Sequence, residues 1–512
     1  MTLSFRWTAL AVLAALPVIV PTACAQDYSG LGPEQGAQSP SLSSPAQSPV
    51  RQGNRPYPRT TPASSYSLTQ TNPFYGSIPT GEATPGILRL SLDDVIQRAL
   101  RQNLGLLLGE QRTRTARSQQ LQELSRLLPA ITGVASESVA QENLAARGIK
   151  FPGVPQTVGP FGFFDARAYL SQPLFDLSAL NHERAAVQNL SAAQYSYQDA
   201  RNFVVFVAAA AYLQALSSAS RITDAQAQLE TAQALYSQAV DLHKAGLSPA
   251  IDSLRSQVQQ QSRQQTLVTA RNDFAKNKLT LARIIGLPPG QEIELPDSVP
   301  YSALDGIVLQ DALRRAYTSR PDLKSVAAQV RSAELTRQAA QSERLPTVGV
   351  DADYGDIGVN PASSHGTFHV TGSLRIPLFT GGRVRGEVMQ AGVMVEQKKS
   401  ELEDLRGRVD FEIRAAFLDL GAAAEQVRLG SSSMDLAQKA LAQSRDRFAA
   451  GVADNLEVIQ AQEALASAND FYISSLYSYN LAKLTLARVM GVAETEGRQY
   501  LEGPPPGGPH LG

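Results

Sequence analysis

The sequence is poor in the residues that staple, ligate or span. A single cysteine in 512 residues excludes a disulfide framework, and with only five histidines there is no Cys/His-rich metal module. Neither sign of charge dominates: 46 Lys and Arg stand against 47 Asp and Glu, a net charge of -1. That balance leaves no basic footprint for nucleic acid and no polyacidic character. After the first 25 residues no run reaches the roughly 18 to 20 apolar residues of a membrane-spanning helix. The longest, Phe203 to Leu213, is short and rich in alanine. Catalytic signatures are missing too: no Gly-x-Ser-x-Gly, no phosphate-binding glycine loop, no His-Glu-x-x-His. His365 and His369 are four apart, but in a loop and a strand without carboxylate or thiol partners, which makes a poor metal site. No cofactor is expected, and no enzyme.

What is present begins with an address. Arg6, an apolar run from Trp7 to Val20 and then Ala23-Cys24-Ala25 have the layout of a secretory signal peptide over residues 1–25. Cleavage after Ala25 would remove the only cysteine. The competing reading is a lipoprotein signal with Cys24 acylated, although Pro21 stands where such signals normally carry leucine. Both readings export the chain. Residues 26–86 are dense in Pro, Ser, Gln and Gly and are expected to be a disordered or extended linker. A flexible tail is expected over 493–512.

Between these segments one design is written twice. Lys278-Leu279-Thr280-Leu281-Ala282-Arg283 recurs as Lys483-Leu484-Thr485-Leu486-Ala487-Arg488, followed at equal distance by Gly286 and Gly491. Ala245-Gly246 matches Ala450-Gly451, and Pro173-Leu174-Phe175 matches Pro377-Leu378-Phe379. Leu128-Pro129 matches Leu345-Pro346, and Leu92-x-Asp94 matches Leu309-x-Asp311. The repeats occupy 87–290 and 307–492, with a connector at 291–306. Each opens with an amphipathic helix: Leu92, Val95, Ile96, Ala99 and Leu100 on one face, then Leu309, Ala312, Leu313, Ala316 and Tyr317. Ser91 is a plausible N-cap.

After each Leu-Pro the period changes to two. Phe368, Val370, Gly372, Leu374 and Ile376 face one way, and Thr367, His369, Thr371, Ser373 and Arg375 the other. Strand pairs are predicted at about 129–173 and 346–377. Long helices are predicted at about 178–245 and 248–286, and again at 383–450 and 453–490. A helix of nearly 70 residues would be on the order of 100 Å long, which no compact globule accommodates. Ser253 to Gln265 has only two large apolar residues, Leu254 and Val258. Helices in the wall of a hollow tube touch only lateral neighbours, so narrow seams suffice; a solvated coiled coil has the same composition.

The strands are about as long as the 9 to 11 residues that cross a bilayer. Four strands cannot close a barrel, and open edges cannot be left in lipid, so a membrane-spanning version must be an oligomer. Phe161, Phe163, Phe164, Tyr169, Phe175, Tyr354, Phe368 and Phe379 are candidates for interfacial girdles. Residues 88–492 in this order resemble the TolC-like outer membrane efflux protein (outer membrane factor) family. The closest phrases are Pro377-Leu378-Phe379-Thr380-Gly381-Gly382-Arg383 and Gly451 through Leu456-Glu457-Val458 to Ala461-Gln462. The resemblance implies an α+β membrane protein: a homotrimer with a 12-stranded outer-membrane β-barrel, four strands per chain. A periplasmic α-helical barrel of long antiparallel helices continues it. It also implies a channel of a tripartite efflux or type I secretion system, docked on a periplasmic adaptor (membrane fusion) protein. The adaptor would couple it to an inner-membrane pump of RND or ABC type.

By that resemblance the glycine turns, Gly246-Leu247-Ser248 and Gly451-Val452-Ala453, form the periplasmic entrance and meet the adaptor. Asp252 and Glu457 occupy one repeat position just beyond the turns. Six such carboxylates in a trimer would favour cations and could hold a gate closed. Gln460 stands where family members often carry another acid. The alternative to a duct is a non-conducting secreted coiled-coil scaffold or periplasmic adaptor.

Overall fold

The computed structural model describes residues 72–502 apart from 149–151, 154, 247, 298 and 305. The chain divides into two units, 1–63 and 64–512, and the described residues all belong to the second. The signal segment with Cys24 and Ala25, most of the proline-rich linker, and Leu247 therefore lie outside them.

In chain order the elements are β1 (Leu88–Arg89), α1 (Leu92–Gln102), α2 (Leu104–Ser125), β2 (Ala130–Asn143), β3 (Thr157–Phe175), α3 (Leu177–Lys244) and α4 (Ala250–Ile284). The second series is β4 (Ile293–Glu294), α5 (Leu309–Ser319), α6 (Pro321–Ser342), β5 (Thr347–Gly358), β6 (His365–Arg375), α7 (Arg383–Ala449), α8 (Asn455–Val489) and α9 (Ala493–Glu502). No proline or glycine interrupts α3, and its 68 residues extend for about 100 Å.

Lateral packing sets the helices in rows of four. Near the sheet the order is α2, α3, α6, α7; toward the glycine turns it is α4, α3, α8, α7. Small residues allow α3 and α6 to approach closely. Ser325 Oγ donates to the Ala192 carbonyl at 2.8 Å and Ser332 Oγ to that of Ala185 at 3.0 Å, while Asn181 Nδ2 donates to Ser342 Oγ at 3.1 Å.

Thick apolar packing is confined to a belt at mid-length. Leu92, Val95 and Ala99 of α1 pack on Val204, Val207, Ala208, Tyr212 and Leu281. The second copy repeats this with Ala312, Leu313 and Ala316 of α5 on Val409, Ile413 and Leu486. Tyr317, expected on the apolar face of α5, is instead largely exposed, its hydroxyl donating to the Arg406 carbonyl. Ser91 caps α1 in a reciprocal box with Asp94, and this capping holds the Asp94 carboxyl below its usual range. By composition a window of α3 is apolar enough to cross a membrane, but most of it is buried in this belt.

Three segments depart from expectation. Residues 72–86, assigned to the linker, are docked: Phe74 meets Phe203 edge to face with ring centroids 5.0 Å apart, and its ring fills the space a Cβ on Gly105 would need. The connector supplies β4, which pairs in parallel with β1. Residues 493–502, assigned to the flexible tail, form α9, whose Tyr500 and Leu501 are buried. Glu494 binds Arg201 and Glu496 binds Arg315, so α9 ties α3 to α5.

Candidate functional site: a two-faced sheet and two helical tips

The four long strands form one antiparallel sheet in the order β2-β3-β5-β6, leaving β2 and β6 as edges. Pairings such as Ile131↔Leu170, Leu170↔Ala352 and Ala352↔Val370 align an apolar face. That face includes Ile131, Ala135, Phe164, Ala168, Leu170, Val350, Tyr354, Phe368, Val370 and Leu374. Among the described residues nothing covers it: Ile131 is 74% exposed, Phe368 77% and Val370 64%. The opposite face is polar. Arg167 is held there by Asp165 at 2.7 Å, by Asp353, and by Thr367 at 3.0 Å, while Ser171 donates to Asp351 at 2.7 Å. A sheet in water puts its apolar side against a core; this one leaves that side bare.

The register also corrects the girdle. Phe164, Tyr354 and Phe368 lie on the apolar face, but Phe161, Phe163 and Tyr169 share the face of Arg167 and Asp353. Pairing sets this, and the noisier alternation of the first copy hides it.

At the other end both turns have one geometry. Gly246 and Gly451 have φ of 72° and 73°, where a side chain would be strained. Ala245 and Ala450 close the helices onto Asp241 and Asp446. The Ser248 carbonyl accepts from the His243 ring at 3.0 Å, while the Ser248 hydroxyl is buried with no partner among the described residues; Val452 is exposed and Ala453 half-buried. Asp454 caps α8 by accepting from the Glu457 N–H at 3.1 Å, whereas Pro249 gives α4 no side-chain cap.

The candidate gate carboxylates are each paired within their own hairpin, Asp252 with Arg255 at 3.6 Å and Glu457 with Arg447 at 3.0 Å. Gln460 lies exposed on α8. Among the described residues Asn455, which sequence reasoning missed, joins the tips. Buried at the start of α8, it donates to Ser256 Oγ at 2.7 Å and to the Asp252 carbonyl at 3.2 Å. Further along, Arg263 reaches Gln228 at 3.0 Å and Glu463, Arg221 reaches Asp470 at 3.0 Å, and Asn469 binds Asp224. Burial raises the Asp224 carboxyl above its ordinary range. Polar residues in an apolar-poor seam were the available signal; which of them meet depends on helix order. Among the described residues no group of three His, Cys, Asp or Glu could hold a metal.

The model of the Outer membrane efflux protein family matches residues 95–287 and 312–492, most of the chain and both repeats. The chain belongs to this family. It is thus an outer-membrane protein whose helical portion lies in the periplasm. Its relatives include the alkaline protease secretion protein AprF of Pseudomonas aeruginosa, 24% identical over 68% of this chain and 75% of AprF. The outer membrane protein TolC of Salmonella enteritidis is 23% identical over 64% of this chain and 68% of TolC. The Campylobacter jejuni CmeC outer membrane channel superposes with a TM-score of 0.68 at 18% identity, covering 78% of this chain and 86% of CmeC. VceC of Vibrio cholerae gives 0.67 at 18% identity, covering 78% and 96%. These structures share its fold.

Proposed function

We propose that the chain is one third of a passive conduit, the outer-membrane channel of a tripartite efflux or type I secretion system. One observation carries this reading: the lateral margins of the chain are unfinished, in the sheet and in the helices alike. β2 and β6 end in open edges, which bilayers do not tolerate and soluble proteins usually protect. The marginal helices carry exposed apolar side chains: Ile251, Leu254, Val258, Val268 and Leu279 on α4, and Met389, Val393, Phe411, Leu418, Leu429 and Leu436 on α7. At 3.6 residues per turn those six on α7 fall within about 40° of one another, a single stripe.

Three copies, edge to edge, make a barrel of about twelve strands, wide enough for a lumen, and a wall of about twelve helices. The bare apolar face then meets lipid and the Arg167 face lines the passage. Near the sheet the four helices enclose a groove of about 900 Å³, lined by His182, Asn189, Gln329, Thr336 and Gln390 among others. Since α2 and α7 both border that groove, the row curves, and its concave side suits an aqueous passage.

Gly246, Leu247, Ser248, Gly451, Val452 and Ala453 are the proposed contacts for a periplasmic adaptor, through which an RND or ABC pump supplies the energy. Asp252 and Glu457 are proposed to ring the entrance, with Gln460 leaving the ring weaker than a fully acidic one. Relatives named for secretion of alkaline protease and export of pyoverdine support the system class without choosing the cargo.

Membrane fractionation followed by planar-bilayer recording tests the reading. The expected result is discrete conductance from detergent-extracted outer membrane. A periplasmic, electrically silent protein would overturn it and leave the scaffold alternative. Changing Asp252→Asn with Glu457→Gln should lower cation preference; an unaltered preference removes them from the gate.

A further inference from the structure

The first hairpin outreaches the second. β5 pairs with β3 no further than Phe164↔Gly358, yet β2 and β3 stay paired as far as Asn143↔Thr157. Residues 138–143 and 157–163 therefore form a two-stranded ribbon beyond the sheet, at the end remote from the helices. Such a ribbon has little stability of its own. Its register shifts between Ala140 and Glu142, and an irregularity of that kind bends a strand and tightens its twist. Its base is pinned: a Cβ on Gly162 would sit 2.5 Å from the Val359 carbonyl oxygen, in the turn between β5 and β6.

The ribbon carries two phenylalanines on the unexpected side. Phe163 lies opposite Ser138 and Phe161 opposite Ala140, partners too small to cover a ring. Both rings point to the face of Asp165, Arg167 and Asp353, and both remain exposed, 41% and 39%. On the lipid side such rings need no cover. On the side of a water-filled passage, bare aromatic surface is unfavourable and seeks a partner.

We propose, resting on the conduit reading above, that the outer mouth is a second constriction in which Phe161 and Phe163 of three copies form an apolar collar. The occupant of each patch is the same patch on a second copy. Three ribbons stand at one height around one axis with their rings inward, and the bend beside Phe161 lets each lean over the passage. The β5–β6 turn meets the ribbon at Gly162, between the two rings, and leaves both exposed, so around a three-fold axis the same rings of neighbouring copies present matching apolar surface at that height. An apolar ring of this kind gates by dewetting. It impedes small ions while bulky or apolar cargo spreads the ribbons.

The test uses the full chain in planar bilayers. The pair Phe161→Ser with Phe163→Ser should raise single-channel conductance about twofold or more and abolish brief closures, whereas Phe161→Leu with Phe163→Leu should keep the native record. A serine pair that conducts like the native channel overturns the collar while the conduit stands. A native protein that does not conduct at all overturns the conduit and the collar together. Phe161→Cys gives a second readout that changes one ring only. A charged methanethiosulfonate added on the outer side should modify it and alter the current. Failure of the water-soluble reagent to react would place the side chain in lipid and overturn the collar.

Discussion

The two long helices, α3 and α7, are near copies in length, 68 and 67 residues, and opposites in environment. α3 buries 21 residues and exposes no large apolar side chain, because it has neighbours on both flanks at every level. α7 buries 11 and exposes the stripe from Met389 to Leu436. A duplicated element has thus taken two roles, an interior stave and a marginal one. Equal length makes both belong to one wall, and unequal burial shows where a single chain stops. Had the molecule been a self-contained helical bundle, the two would be buried alike.

The comparison breaks most visibly at the margin. Phe411→Glu with Leu418→Glu on α7 should abolish assembly. Each large side chain covered at an interface is worth about 1.5–3 kcal/mol, so the pair weakens association at least about 100-fold. Native mass spectrometry should report single chains, with helicity by circular dichroism unchanged. On α3 the effect should fall on the fold instead. Leu213→Ala, at a side chain 1% exposed, should cost about 2–5 kcal/mol and lower the thermal midpoint without changing the number of copies.

The repeats also diverge at their shared lysines, and pH sharpens that difference. Lys278 sits near the Phe274 ring, half-exposed. Lys483 is fully buried, donating to the carbonyls of Ser302 at 3.0 Å and Leu501 at 3.3 Å. Burial pushes Lys483 down from 10.5 to about 8. Below pH 8 it is protonated in the folded and the unfolded chain, and its burial penalty is fully present. Between 8 and 10.5 the folded chain releases the proton and the unfolded chain keeps it, so stability rises with pH. Relative to Lys483→Met, the native protein should gain up to about 3 kcal/mol across that window, read from denaturant midpoints. The smallest effect concerns caps: Asp454→Ala should cost about 1 kcal/mol and speed amide exchange at Leu456 to Val458. Pro249, which gives α4 no side-chain cap, should tolerate Ala.

The duplicated phrases and the change of period in the sequence were enough to read the repeats, the strand pairs and the long helices, because those signals are local. What stayed hidden was non-local. Phe74 and Tyr75 anchor a segment that looks aliphatic-poor, since Gly105 leaves room for one ring. Tyr500 and Leu501 dock α9 beside glycine- and proline-rich sequence that argues against order. Asn455 and Arg263 resemble ordinary solvated residues until helix order brings α4 beside α8. Phe161 and Phe163 acquire a side of the sheet only once β2 and β3 are paired.

Native mass spectrometry of the detergent-extracted protein addresses the unfinished margins most directly. Three times the subunit mass, lost on charging the α7 stripe, is the expected result. A stable single chain that leaves β2, β6 and α7 bare would contradict the account.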